Sequence, residues 1–368
     1  HVRKSPYDKR SMDLIFFDAD GQDISSGRTK AVERQFFSED FRRADYEGIG
    51  SLYFPERTTE AYRERFLSTL DHSLIATKAF SVVVDYSYGI ASSIFPNILG
   101  KMGAEVISLN AYIDRTRLTR SPEEFNSSCQ HVSGIVNSLS CNIGILLDAG
   151  AEKVFVSDEH GRFLPEDRVP AVVTKLYLEA RKRQGNPILK MGCPISASSE
   201  MDFIAEEYGV ELVRTQNSHG GMMQAVLSDH DIQFVAGTKG GFIFPEFLFA
   251  TDAMYSVAKI LEMMAVTGWR LGDLEDSIPH LSRISRTVHC PWKSKGRVMR
   301  HAMHASEGME RKLVDGIKIH YDRDTWVLLV PSKEHELFDV HVEAQTPERA
   351  NELAEEYSQK VAQWRDNA

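Results

Sequence analysis

Residues 145–164 read ILLDAGAEKVFVSDEHGRFL. Two apolar runs, Ile145–Leu147 and Val154–Val156, flank a small and charged segment, Asp148–Lys153, and Asp158-Glu159-His160-Gly161 closes a second turn. Apolar runs of this length bounded by Gly and Asp read as two buried strands of a hairpin or sheet edge. Asp148 stands at the end of the first. A carboxylate there either accepts backbone N–H bonds across a tight turn or helps to hold a hard cation, which needs several oxygen ligands. Ala149, Gly150, Ala151, Glu152 and Lys153 offer one more carboxylate and an opposing charge. Residue types alone favour the turn.

Upstream, Ala79–Asp85 is a continuous apolar strand ending in Asp85. A helix is expected over Ile90–Met102, stopped by Gly103, and a strand over Glu105–Leu109. Strand, helix, strand with Gly punctuation is a βαβ unit, which calls for a parallel sheet. An amphipathic helix over 56–75 precedes it, with Tyr62, Phe66, Leu70 and Leu74 at four-residue spacing. Downstream, helices over Val169–Gln184, Ser199–Tyr208 and Thr251–Thr267 alternate with strands at Pro187–Met191, Val210–Arg214 and Ile232–Val235. The glycine turn Ala236–Gly241 leads into Phe242–Phe244. Beyond Ser285 the texture changes to half-exposed strands at Arg286–Trp292, Gly316–Tyr321, Trp326–Val330 and Phe338–Ala344. A last helix over Thr346–Trp364 is capped by Thr346 with Pro347 at its first position. At the other end, a strand over Leu14–Phe17 and a helix from Ser26 are too little for a core of their own.

The expected fold is therefore multidomain α/β: two mixed-sheet α/β domains, a C-terminal α+β domain and the remnant of a first α/β domain. The boundaries are 1–55, 56–168, 169–284 and 285–368. A chain of 368 residues supports several cores. Asp and Glu number 53 against 43 Lys and Arg, a net charge of −10, which argues against nucleic acid as a partner. No run approaches the ~18 apolar residues of a membrane helix. Cys129, Cys141, Cys193 and Cys290 lack CxxC spacing and read as reduced thiols of a cytoplasmic protein. His301 and His304 have helix spacing but no third ligand nearby, so no metal site is read there.

In this order of elements the chain resembles the α-D-phosphohexomutase superfamily, the phosphomannomutase/phosphoglucomutase proteins. The resemblance rests on FFDADGQDIS at 16–25, AFSVVVDYSYG at 79–89, GILLDAGAEKVFVSDEHGRFL at 144–164, AGTKGGFIFPEF at 236–247 and WVLLVPSKEHELFDVHVEA at 326–344. Within that superfamily it resembles the mutase-like C-terminal portion of bacterial mannose-1-phosphate guanylyltransferases. That implies four domains, each giving one loop to a cleft, and a nucleotidyltransferase domain ahead of His1. It implies a hexose phosphate as the small-molecule partner and leaves a homo-oligomer open.

Residue by residue, the resemblance places Ser5 at the phosphoserine position, without the His and Asn that should follow; Pro6, Tyr7 and Asp8 stand there instead. Asp148 matches the first aspartate of the Mg²⁺ loop, while Gly150 and Glu152 fill the other two positions and Lys153 that of an Arg. Arg3, His219, Gly237, Thr238, Lys239, Gly240, Ser332 and Lys333 are the implied substrate-binding residues. Gly237-Thr238-Lys239-Gly240-Gly241 lacks the Glu and Ser of a sugar-hydroxyl loop. Val330-Pro331-Ser332-Lys333-Glu334-His335 lacks the Arg, Gly and Thr of a phosphate cradle, and Glu334 opposes a phosphate. Phosphoryl transfer depends on positioning and charge neutralisation, so blunted loops imply a mutase module that is weak or inactive in catalysis and serves a structural, regulatory or sugar-phosphate-binding role. The alternative is an active mutase with divergent loops.

Overall fold

The computed structural model describes residues 1–5, 10–19, 21–39, 43–333 and 335–366. Pro6, Tyr7, Asp8, Asp20 and Glu334, on which parts of the loop and turn readings fall, lie outside them. The chain forms two compact units. One takes His1–Phe163 and Phe244–Ala265, the other Leu164–Ile243 and Val266–Ala368.

In the first unit, β1 (Val2–Lys4) pairs antiparallel with β2 (Met12–Leu14), setting Arg3 opposite Asp13. The strand expected at Leu14–Phe17 lies earlier: Leu14 ends β2, and Phe17 makes only an isolated bridge to Asp23. The helix expected over 56–75 is two, Thr58–Ser68 and His72–Thr77, because Asp71 caps a new start by accepting Leu74 N–H at 2.9 Å. The main sheet is built from β3 (Ser81–Asp85), β4 (Glu105–Leu109), β5 (Ile143–Leu147) and β6 (Val154–Ser157), in the order β4-β3-β5-β6. β3 runs parallel to β4 and β5, as a βαβ unit requires, and β6 returns antiparallel to β5. Every residue of β5 is buried. A helix not anticipated from the sequence, Pro122–Leu139, connects β4 to β5 and starts on a capping box of Ser121 and Glu124. Residues 244–265 come back to this unit. The Tyr255 ring packs edge-on against Phe66 at 5.3 Å and stacks on Phe247 at 4.3 Å. Buried Lys259 is held by Glu246 and Glu262, each at 2.7 Å.

The second unit holds two sheets. In the first, β7 (Lys190–Pro194), β8 (Glu211–Thr215), β9 (Ile232–Ala236) and β10 (Phe242–Ile243) stand in the order β10-β9-β7-β8, parallel except for β10. β7 lies three residues later than the strand read at Pro187–Met191. The second sheet is antiparallel, order β11-β15-β14-β13-β12, made of β11 (Ser282–His289), β12 (Glu310–Lys312), β13 (Ile317–His320), β14 (Trp326–Pro331) and β15 (Leu337–Ala344). β11 stops at His289, and Trp292, read as its end, opens a helix over Trp292–Ala305. The closing helix Pro347–Asp366 begins as read, with Thr346 Oγ1 accepting Arg349 N–H at 3.2 Å. Its buried Leu353, Ala354, Tyr357 and Val361 cover the sheet face carrying Ile317, Val327, Val340 and Val342. Each buried Leu, Ile or Val among them contributes about 1.5–3 kcal/mol for its burial. At the heart of this unit Arg168 is 5% exposed and lies between Glu200 and Glu275, and Glu343 accepts from Trp326 Nε1 and Ser199 N–H, both at 2.8 Å.

Candidate functional site

The turn between β5 and β6 is built by Asp148. Its Oδ1 accepts the backbone N–H groups of Glu152 and Lys153, both at 2.7 Å. Asp148 N–H donates to Lys153 O at 3.1 Å and Ala151 N–H to Asp148 O at 3.0 Å. Asp148 is thus the capping carboxylate of the turn, as its residue type suggests. Burial pushes its carboxyl above the ordinary aspartate range; the Glu152 charge adds to the rise, and the two N–H bonds oppose it.

β1 carries Arg3 to the same place. Arg3 Nη1 donates to Glu152 Oε1 at 2.5 Å, and Nε lies 3.5 Å from the carboxylate of its cross-strand neighbour Asp13. Burial works against the guanidinium charge, but Glu152 and Asp13 outweigh it and hold the Arg3 pKa above its usual value. A Cβ on Gly150 would stand 3.3 Å from Arg3 Nη1 and 3.4 Å from Asp148 Oδ2, so these groups flank the space that the glycine leaves. Arg3, Lys4, Asp148, Gly150 and Glu152 line a cavity of about 190 Å³.

These residues do not fit a divalent cation. Mg²⁺ demands near-octahedral oxygen ligation and Ca²⁺ six to eight oxygens. Here one oxygen of Asp148 is taken by backbone donors, Glu152 is taken by Arg3, and Gly150 has no side chain. Among the described residues no group of three or more His, Cys, Asp or Glu could hold a metal ion. His301 is stacked on Trp364 at 6.4 Å.

Ser5 follows β1 directly. Its N–H donates to Ser11 O at 3.1 Å, its carbonyl accepts from Thr119 Oγ1 at 2.6 Å, and it is 6% exposed. Little of it is presented for transfer to a sugar. Asp85 is satisfied at its strand end by Ser87 N–H and Asn110 Nδ2, both at 2.8 Å, and Arg120 Nη2 at 3.0 Å.

In the second unit, Gly237-Thr238-Lys239-Gly240 form the β9–β10 turn. Gly237 N–H donates to Gly241 O at 2.9 Å, and a Cβ at Gly237 would meet that oxygen at 2.5 Å, so only glycine fits. Gly240 has φ +73°, which glycine adopts without strain. Lys239 is exposed and Thr238 half-buried. His219 is the first residue of the helix His219–Ser228, whose cap, Ser218, accepts Gly221 N–H at 3.1 Å. Arg214 is structural: it donates to Ala197 O at 2.9 Å and pairs with Asp202.

Ser332 and Lys333 follow β14. Lys333 Nζ is 2.9 Å from Asp315 Oδ1, and Asp315 Oδ2 accepts Asn217 N–H at 2.7 Å. Asp315 therefore brings Lys333 and the segment leading to His219 together. Buried Lys295 donates to Ser332 O at 2.6 Å and to His335 O, tying this loop down from behind. Neither Asp315 nor Lys295 was singled out from the sequence. Asp315-Gly316 does carry the dipeptide signal of a turn, whereas Lys295 carries none.

Comparison with known proteins agrees with this architecture. Residues 60–161 match the family described as phosphoglucomutase/phosphomannomutase, alpha/beta/alpha domain II, and residues 165–281 match its domain III. A phosphoglucomutase/phosphomannomutase of Thermococcus kodakarensis is 31% identical over 344 residues, 93% of this chain and 74% of the relative. The chain belongs to the phosphoglucomutase/phosphomannomutase family. The fold of this family member is also that of a phosphoglucomutase/phosphomannomutase family protein from Burkholderia thailandensis, with a TM-score of 0.76 at 17% identity, over 95% of this chain and 72% of the other. An Aspergillus fumigatus N-acetylphosphoglucosamine mutase, solved with GlcNAc-6P and magnesium, gives a TM-score of 0.58 at 13% identity, over 85% and 72%. In this chain the β5–β6 turn holds a guanidinium against Glu152.

Proposed function

We propose that the chain is a hexose-phosphate-binding member of the mutase family in which phosphoryl transfer is weak or lost. Its own part would be structural or regulatory, within a protein of nucleotide-sugar synthesis of the GDP-mannose type that carries a nucleotidyltransferase domain. The observation that carries the reading is Arg3 on Glu152 at 2.5 Å, beside an Asp148 already committed to its turn. Phosphoryl transfer lives on charge neutralisation and positioning. Removing one such stabilising donor costs on the order of 3 kcal/mol, two to three decades in rate. Blunted loops at Ser5, Asp148, Gly237 and Ser332 compound that loss. Lys239 supplies a point charge suited to a phosphate, Lys333 being already paired with Asp315, and no step through a metal is assigned.

The second reading is an active phosphohexomutase that interconverts hexose 1-phosphate and 6-phosphate. Family membership speaks for it directly, since a 31% identical relative bearing that name spans 93% of the chain. A coupled assay of mannose 1-phosphate conversion, with a 1,6-bisphosphate primer and with or without Mg²⁺, separates the two. The first reading expects a rate at least about a hundredfold below working mutases, together with a hexose-phosphate thermal shift. Full turnover would establish the second.

A further inference from the structure

At the β5–β6 turn, two carboxylates face a place where positive charge already stands. Arg3 Nη1 is 2.5 Å from Glu152, and both Nη1 and Asp148 Oδ2 border the space over Gly150. The register of the β1–β2 ribbon fixes the arginine there, with Asp13 opposite it and 3.5 Å away as a second counter-charge. Gly150 gives the guanidinium its room: a Cβ would approach Nη1 to 3.3 Å, closer than side-chain contacts ordinarily allow. A dication entering the turn would meet like charge and find Asp148 Oδ1 and Glu152 Oε1 already committed.

We infer that Arg3 is the resident cation of this turn, standing where a divalent ion would need to be, and that the cavity beside it takes a phosphate monoester without metal. The ligand half rests on the hexose-phosphate reading; the exclusion of metal rests on the turn's geometry alone. A planar, permanently charged guanidinium suits the role, because it pairs with carboxylate and phosphate oxygens alike and cannot be deprotonated. Lys4, which lines the same cavity, adds a second cationic side chain for the phosphate.

The test is a Mn²⁺ titration of the 368-residue chain by calorimetry and electron paramagnetic resonance, with thermal shifts in mannose 6-phosphate with and without EDTA. The wild type is expected to take up no Mn²⁺ at millimolar concentration, and to show a mannose 6-phosphate shift that EDTA leaves unchanged. Combining Arg3→Met with Gly150→Asp removes the guanidinium and adds a carboxylate, and should tighten Mn²⁺ binding at least about tenfold. One Mn²⁺ bound per wild-type chain and lost in Asp148→Asn overturns the inference, as does a sugar-phosphate shift abolished by EDTA. The wild-type titration needs no variant, so it decides even where the double variant does not fold. No shift with mannose 6-phosphate in either buffer overturns the hexose-phosphate reading and the ligand half with it, leaving the Mn²⁺ result to judge Arg3 alone.

Discussion

Replacing Arg168 by Met tests how the second unit is held together. Arg168 Nη1 donates to Glu200 Oε1 at 2.5 Å and to Pro279 O at 2.8 Å, Nε to Glu275 Oε1 at 3.0 Å, and Nη2 to Ile278 O at 2.9 Å. The methionine fills much of the volume but takes the guanidinium donors from two buried carboxylates and three carbonyls, leaving Glu200 with the Leu281 N–H. Each stranded acceptor costs about 1–3 kcal/mol, and relaxation and protonation recover part of the sum. Breaking a buried ion pair from one side costs about 3–5 kcal/mol, and we expect about 4 kcal/mol here. Trp269, Trp292, Trp326 and Trp364, all of the tryptophans, lie in this unit, so urea unfolding followed by their fluorescence reads it selectively. The loss should shrink at pH 5: burial already pushes the Glu200 carboxyl up to about 7, and its protonation below that pH removes the stranded charge. Adding Glu200→Gln and Glu275→Gln should recover part of the stability. A loss below about 1 kcal/mol at pH 7, or one independent of pH, would refute the reasoning.

Gly237→Ala drives a Cβ to 2.5 Å from Gly241 O; we expect a loss of about 1–3 kcal/mol, read as a lower urea midpoint. His320 is held down to about 4, first by burial and then by the Lys318 and Lys312 charges. Its folded pKa lies below the unfolded one, so the stability it contributes is present above about 6.5 and is lost as the pH falls towards 4. His320→Gln should flatten urea midpoints across that window, and an unchanged slope would count against the assignment.

Much of the architecture is legible in local pattern. The apolar runs at 145–147 and 154–156 are the antiparallel pair β5 and β6, and Asp148 does what an aspartate in a tight turn usually does. Local signals were also there for what was missed: Ser121-Pro122-Glu123-Glu124 spells the start of the helix 122–139, and Asp71 breaks the helix at 56–75. Pro187 and the apolar Ile188 and Leu189 blurred the start of β7, which only pairing with β8 fixes at Lys190. The site was less readable because its contacts are non-local. Arg3 meets a glutamate 149 positions away, and the loop holding Lys333 is set by Asp315 and Lys295 from other elements. Charge pairing of this kind leaves no periodic trace in a sequence.

The return of residues 244–265 to the first unit bears on synthesis. A ribosome must add about 80 residues of the second unit after Phe163 before the missing piece begins, roughly 4–16 s at ordinary elongation speeds. Throughout that delay the surface awaiting Phe247 and Tyr255, with Phe66 at its centre, stays uncovered on the nascent chain. The first unit therefore cannot be completed until about 80 residues of the second have been made, and truncation anywhere before Ala265 should yield a product that chaperones retain.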